Sequence, residues 1–244
     1  RYAASGTEGD GVLTSGEAHT VQPFGNEMAY TSLTGAELRT LLSQQWQPGS
    51  SRPVLTLGLS SNVDVLTEAS TPGGSAAPAI REIRVDGEPL ADDDTVVVAS
   101  NSFLLTGGDG YMVFKDKPST NTGVLDRDVT SAYLASFGNQ PVKAGYSKRQ
   151  TGLTVGPVYI SSGGARSTDM VSVTLDSLAY TNPSEQAAGA RRVRVSSGDK
   201  EILTKDLDLT VDPTGPTTGR VDFTLAFPTD APTRACRTVQ ATTC

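Results

Sequence analysis

The chain has 244 residues but only one histidine, two cysteines and one tryptophan, and aromatic residues make up 6% of it. A lone histidine, His19, cannot assemble a metal centre or a catalytic relay that needs several imidazoles. No Gly-x-Ser-x-Gly segment occurs, so a serine nucleophile paired with histidine has no support. No apolar run approaches the roughly 18 residues that a membrane-spanning helix requires, so no membrane span is expected. The 20 Lys and Arg are scattered and outweighed by 27 Asp and Glu, for a net charge of -7. Without a basic patch, nucleic-acid polymers are not expected as partners. Arg1-Tyr2-Ala3-Ala4 leads into no apolar signal core and there is no initiator methionine, so the chain reads as an internal piece of a longer protein.

Cys236 and Cys244 stand at the far end. If the residues between them were one straight strand, eight steps of about 3.4 Å would hold them some 27 Å apart, beyond a disulfide reach of about 7 Å. A bridge requires a turn within Thr238–Thr243; the alternative is two unpaired thiols.

What is present is an ordinary globular composition, 36% hydrophobic before 25 glycines are added. In the first 150 residues the signals mix. Thr14-Ser15-Gly16-Glu17 and Thr34-Gly35-Ala36-Glu37 are capping boxes, the second opening a helix to about Trp46 with a Leu38, Leu41, Leu42 stripe. Glu27–Leu33 alternates as a strand with Met28 and Tyr30 on one face. Strands are also predicted at Val54–Leu59, Val63–Leu66 and Ile80–Val85, with a tight turn at Asp86-Gly87. The Ser/Thr/Pro/Gly-rich stretch from Glu68 to Pro78 reads as a surface loop. Thr95–Ala99 reads as a buried strand. Asp126-Arg127-Asp128 can cap a last helix with Val129, Ala132, Tyr133 and Phe137 facing inward. Asp92-Asp93-Asp94 reads as a solvated turn, not a metal site.

After about Gln150 period-two alternation takes over, in Val171/Val173/Leu175, Val193/Val195, Leu207/Leu209/Val211 and Val221/Phe223/Leu225/Phe227. Gly, Pro and Ser clusters punctuate it, as in a β-sandwich. The expected fold class is α+β, with a mixed-sheet domain over 1–150 followed by an all-β sandwich over 151–244.

Chemistry concentrates in two loops. Asn101-Ser102-Phe103-Leu104-Leu105-Thr106-Gly107-Gly108-Asp109-Gly110-Tyr111 follows a strand, and its glycines let backbone come close to a ligand. Pro23-Phe24-Gly25-Asn26 precedes another strand. Two aromatic rings, each beside a loop carrying an amide or a carboxylate, could form a slot for a flat ring, with Asp109 accepting hydrogen bonds from hydroxyls.

Together with Gly11-Val12-Leu13-Thr14-Ser15-Gly16-Glu17 and Leu33-Thr34-Gly35-Ala36-Glu37-Leu38, these blocks resemble the C-terminal domain of the 5'-nucleotidase family in order and in the Phe103-to-Asp109 spacing. The family includes bacterial periplasmic UDP-sugar hydrolases and animal ecto-5'-nucleotidases, and the resemblance covers roughly the first 150 residues. It implies that Phe24 and Phe103 sandwich a nucleobase, that Asn26 lies near the base, and that Asp109 accepts the ribose hydroxyls. Gly25, Asn101, Gly107 and Gly108 belong to the same substrate-binding loops. It implies no catalytic or metal-binding residue in this chain, which by itself is expected to be inactive. Two divalent metal ions would be held by an N-terminal metallophosphoesterase domain of the same parent chain. The parent would be a secreted, periplasmic or cell-surface hydrolase of nucleotide catabolism acting on a nucleotide or nucleoside ligand. The family's Asn-Gly-Gly-x-Arg block is absent, so the binding site is expected to be incomplete. Residues 218–228 resemble, generically, immunoglobulin-like modules appended to secreted bacterial enzymes. The rival reading is a non-enzymatic surface module: a decayed nucleotidase domain with a glycan- or protein-binding sandwich.

Overall fold

The computed structural model describes residues 13–70, 76–138, 140–142, 145, 148–160, 168–197, 199–211, 218–228 and 239–243. In chain order these form α1 (Ser15–Val21), β1 (Glu27–Thr34), α2 (Gly35–Ser43), β2 (Val63–Thr67), β3 (Ile80–Val85), β4 (Glu88–Pro89), β5 (Thr95–Asn101), α3 (Ser102–Leu105), β6 (Thr120–Leu125) and α4 (Asp126–Ala135). There follow β7 (Gln150–Ile160), β8 (Thr168–Asp176), α5 (Pro183–Ala188), β9 (Arg192–Ser197), β10 (Lys200–Asp206), β11 (Val221–Pro228) and β12 (Val239–Thr243). Mixed helices and sheets agree with the α+β expectation. Cys236 and Cys244 lie outside the described residues.

The chain divides into two compact units, Arg1–Gln44 with Ala91–Ala144, and Gln45–Leu90 with Gly145–Cys244. The break does not follow the continuous split expected at residue 150. The reason is strand pairing: β2 pairs in parallel with the start of β7, Val65 opposite Gln150 and Thr67 opposite Gly152. The Asp176 carboxylate reinforces the pairing by accepting from both the N–H and the hydroxyl of Ser70, each at 2.6 Å.

In the first unit β1 is the central strand of a three-stranded sheet ordered β5-β1-β6. Its Ala29, Thr31 and Leu33 are buried, while Met28 and Tyr30 share the more open face. Both capping boxes form, Thr14 with Glu17 and Thr34 with Glu37, each threonine hydroxyl accepting a backbone N–H that the helix start leaves unpaired. An ion pair to Lys117 and the Thr34 N–H hold the Glu37 carboxyl below the usual carboxylate range. α2 packs on β1 through buried Leu38, Leu41 and Leu42. Its first N–H groups donate to Asp94 O and Asp92 O. A Cβ at Gly35 would stand 2.0 Å from Ala91 O, so only glycine permits this docking. The triple aspartate is exposed, as expected of a solvated turn.

Four expectations fail. β5 is not buried: it is an outer strand of its sheet among the described residues, and its exposure alternates, with Val97 69% exposed and Val96 and Val98 half-buried, so one of its faces is open to solvent. On α4, Val129, Ala132 and Tyr133 are exposed, so its apolar stripe does not face a core. α2 ends at Ser43, short of Trp46, and Val54–Leu59 forms no strand. Instead the fully buried Gln45 organises that stretch, its backbone and side-chain oxygens accepting from Leu55 N and Leu57 N at 2.8 Å. β6, Thr120-Asn121-Thr122-Gly123-Val124-Leu125, is not among the predicted strands, since Asn121 and Gly123 interrupt its β-branched residues. It is ordered by β1, against which it pairs antiparallel.

The second unit contains a six-stranded sheet, β11-β8-β7-β2-β3-β4, and a three-stranded one, β10-β9-β12. One apolar cluster draws on both: Val171, Val173 and Leu175 of β8, Val193 and Val195 of β9, and Val221, Phe223 and Leu225 of β11. The alternation in those three stretches matches the burial found. Leu207 is buried, but among the described residues Leu207–Val211 makes a single bridge, Asp208 with Arg220. The turn into β4 takes Asp86 and Gly87 at φ 54° and 85°, the left-handed pair of a tight hairpin.

Candidate nucleoside-binding site

The antiparallel register of β1 and β5 sets Met28 opposite Asn101. Phe24, shortly before β1 begins, and Phe103, shortly after β5 ends, therefore emerge at the same end of the sheet. Both rings are open to solvent, 60% exposed for Phe24 and 47% for Phe103. Phenylalanines left this exposed are not core residues.

Phe103 sits on the four-residue helix α3. Its N-cap is Asn101, whose Oδ1 accepts from Leu104 N at 2.9 Å. The side chain of Asn101 thus shapes the loop. Gly107 at φ 89°, Asp109 at φ 53° and Gly110 at φ 83° then turn the chain through left-handed backbone. Aspartate tolerates that conformation better than most side chains. Gly108 has a different role. A Cβ there would fall 2.7 Å from two carbons of the Phe103 ring and 2.5 Å from Phe103 O. The ring lies directly against Gly108, so this glycine seats the ring instead of leaving room for a ligand.

Below the loop, Tyr111 and Phe114 are almost completely buried and anchor it. Burial pushes the Tyr111 phenol up to about 12, with the Asp109 charge as the second cause. Asp109 itself is half-buried. A Cβ added at Gly25 would meet nothing within 4 Å, so no close approach requires glycine there.

Asn26 is tied across the sheet to a residue that the sequence pattern marks only as a helix start. Its Nδ2 donates to Asp126 Oδ2 at 3.0 Å, and Asp126 N donates to Asn26 O at 2.9 Å. No local pattern signals a contact spanning 100 positions. His19 is exposed on α1. Among the described residues no group of three or more His, Cys, Asp or Glu side chains comes together that could hold a metal. A cleft of about 580 Å³ between α1 and the C-terminal end of α4 is lined by Leu13, Ala18, Leu134, Phe137 and Val142, and contains none of the predicted site residues.

Residues 2–116 match the family model described as 5'-nucleotidase, C-terminal domain. The chain is 30% identical over 136 residues to the trifunctional nucleotide phosphoesterase protein YfkN of Bacillus subtilis, covering 53% of this chain and 9% of that protein. It is 32% identical over 118 residues to the protein UshA of Escherichia coli, covering 47% and 19%. To the cell wall protein Lmo0130 of Listeria monocytogenes it is 33% identical over 108 residues, covering 44% and 13%. Among solved structures, the 5'-nucleotidase precursor of Thermus thermophilus matches at a TM-score of 0.46 and 28% identity, over 57% of this chain and 27% of that one. The chain thus spans less than a fifth of the length of each of these curated relatives. Residues 2–116, which carry both aromatic loops, are similar to the C-terminal domain of 5'-nucleotidases.

Proposed function

We propose that this chain supplies the nucleoside-recognition part of a secreted, periplasmic or cell-surface hydrolase that releases phosphate from nucleotides. Phe24 and Phe103 stack on the two faces of the base, Asn26 meets its edge, and Asp109 accepts hydrogen bonds from the ribose hydroxyls. The observation that carries this reading is the β1–β5 register, which brings two solvent-open phenylalanines to one end of one sheet. Stacking on an aromatic ring tolerates any base, which suits an enzyme of several nucleotides. The two divalent metal ions of the parent would be held by an N-terminal metallophosphoesterase domain of the same parent chain. The second unit, whose larger sheet also takes in strands β2 to β4, is read as an immunoglobulin-like sandwich, a reading supported by the apolar cluster shared between its two sheets.

In the full-length parent, Phe103→Ala should weaken nucleotide binding by roughly 1–3 kcal/mol while leaving hydrolysis of a small phosphate ester without a base nearly untouched. Asp109→Asn should harm ribonucleotides more than 2',3'-dideoxy analogues. Equal loss of both activities in Phe103→Ala would sink the slot. This chain alone should release no phosphate from AMP. The likeness to a protein named for the cell wall favours a second reading, a non-enzymatic surface module. A parent sequence without histidine-rich metallophosphoesterase blocks would decide for it.

A further inference from the structure

We propose that Asp126 is a positioning residue for the base end of the slot: it orients the Asn26 amide so that Asn26 offers its carbonyl oxygen to the base. The inference rests on the nucleoside-slot reading and adds to it a residue and a polarity.

Asp126 is only 5% exposed, yet it carries a carboxylate at the first position of α4. One oxygen accepts from Arg127 N at 2.7 Å and the other from Asn26 Nδ2 at 3.0 Å. An ionised carboxylate only accepts, so the nitrogen of the Asn26 amide must face it. The backbone bond from Asp126 N to Asn26 O holds the two residues together independently of the side chains. A bulge delivers Asp126 there. β1 and β6 pair Glu27 with Leu125 but Ala29 with Asn121, a shift taken up by Thr122 to Val124. Gly123 at φ 73° makes that shift possible, its N–H donating to Glu27 Oε1 at 2.7 Å, while Thr122 Oγ1 donates to Met28 O at 2.8 Å.

With its nitrogen committed, half-buried Asn26 keeps one side-chain N–H and a side-chain Oδ1 that accepts no hydrogen bond among the described residues. An acceptor in that place suits a base presenting an N–H on its edge, such as an exocyclic amine or a ring imide. Without Asp126 the amide could rotate by half a turn and present its NH₂ instead, at no steric cost.

The test is calorimetric binding of AMP and of ribose 5-phosphate, which lacks a base, to the full-length protein. D126N and D126E should each raise the Kd for AMP roughly three- to tenfold and leave that for ribose 5-phosphate unchanged. D126E keeps the charge at the helix start, so it reports even if D126N does not fold. In an N26A background neither substitution should change the AMP Kd further, because Asp126 acts through Asn26. An unchanged AMP Kd in either folded variant, or a further loss on top of N26A, overturns the proposal. F103A separates the two layers. If F103A weakens AMP selectively and the Asp126 variants do not, only this inference falls; if F103A has no effect on AMP, the slot falls and this inference with it.

Discussion

Phe223 on β11 is 9% exposed and shares an apolar cluster with Val171, Val173 and Leu225, whereas Phe103 on α3 keeps 47% of its surface in solvent. The same side chain thus serves two ends in the two units. In the second unit it fills a core drawn from two sheets. In the first it is presented outward by a capped single-turn helix and seated on a glycine. Exposure at Phe103 forgoes burial free energy that Phe223 collects, and such a cost is expected where a ring must meet something other than its own protein.

That contrast can be broken by substitution. Phe223→Ala should destabilise the second unit by about 3–5 kcal/mol, the usual cost of emptying a core site, read as a shifted denaturation midpoint. Phe103→Ala should shift it by less than about 1 kcal/mol, since half the ring is already hydrated. Equal destabilisation by the two substitutions would make Phe103 a core residue after all.

An effect between those two is expected at the seat of the ring. Gly108→Ala places a methyl group where the ring and backbone of Phe103 already stand, and should cost about 1–3 kcal/mol through displacement of the loop. Its companion Gly25→Ala should change stability by no more than about 0.5 kcal/mol, because open space surrounds that position. If Gly25→Ala proved the more damaging of the pair, the assignment of a seating role to Gly108 would be wrong.

Alkaline pH probes the same loop. The folded state raises the Tyr111 phenol from 10.0 to about 12, so it favours the protonated form. The stability this contributes is present in full below about pH 10 and is lost as pH rises through about 12. Ultraviolet titration should show one phenol ionising late, and Asp109→Asn should bring it down modestly, since the Asp109 charge is the lesser of its two causes. A late phenol that persists in Tyr111→Phe would move the effect to another tyrosine.

Much of the scaffold was legible because its causes are local. The hydroxyl of Thr14 reaches the N–H of Glu17, and that of Thr34 reaches Glu37, three residues on in each case. Alternation in β8, β9 and β11 records which face is wet, and Asp86-Gly87 records a left-handed turn. The two aromatic loops were legible as blocks of residue types. The failures share a different cause. Thr95–Ala99 looks like an interior strand by composition, but its alternating exposure shows one face left open to solvent, which depends on what packs over the sheet. β6 interrupts its β-branched residues with Asn121 and Gly123 and is ordered as a strand by pairing with β1.

Local sequence accounts for the helix starts, the tight turn, the alternating strands of the second unit and the residue types at the two loops. Each of these depends on neighbours a few positions away. Long-range pairing alone makes residues 45–90 join the sheet of residues beyond 145, brings Phe24 and Phe103 to one end of a sheet, and ties Asn26 to Asp126. Those outcomes rest on which strand pairs with which and in what register, a competition among distant segments that no short stretch of chain records.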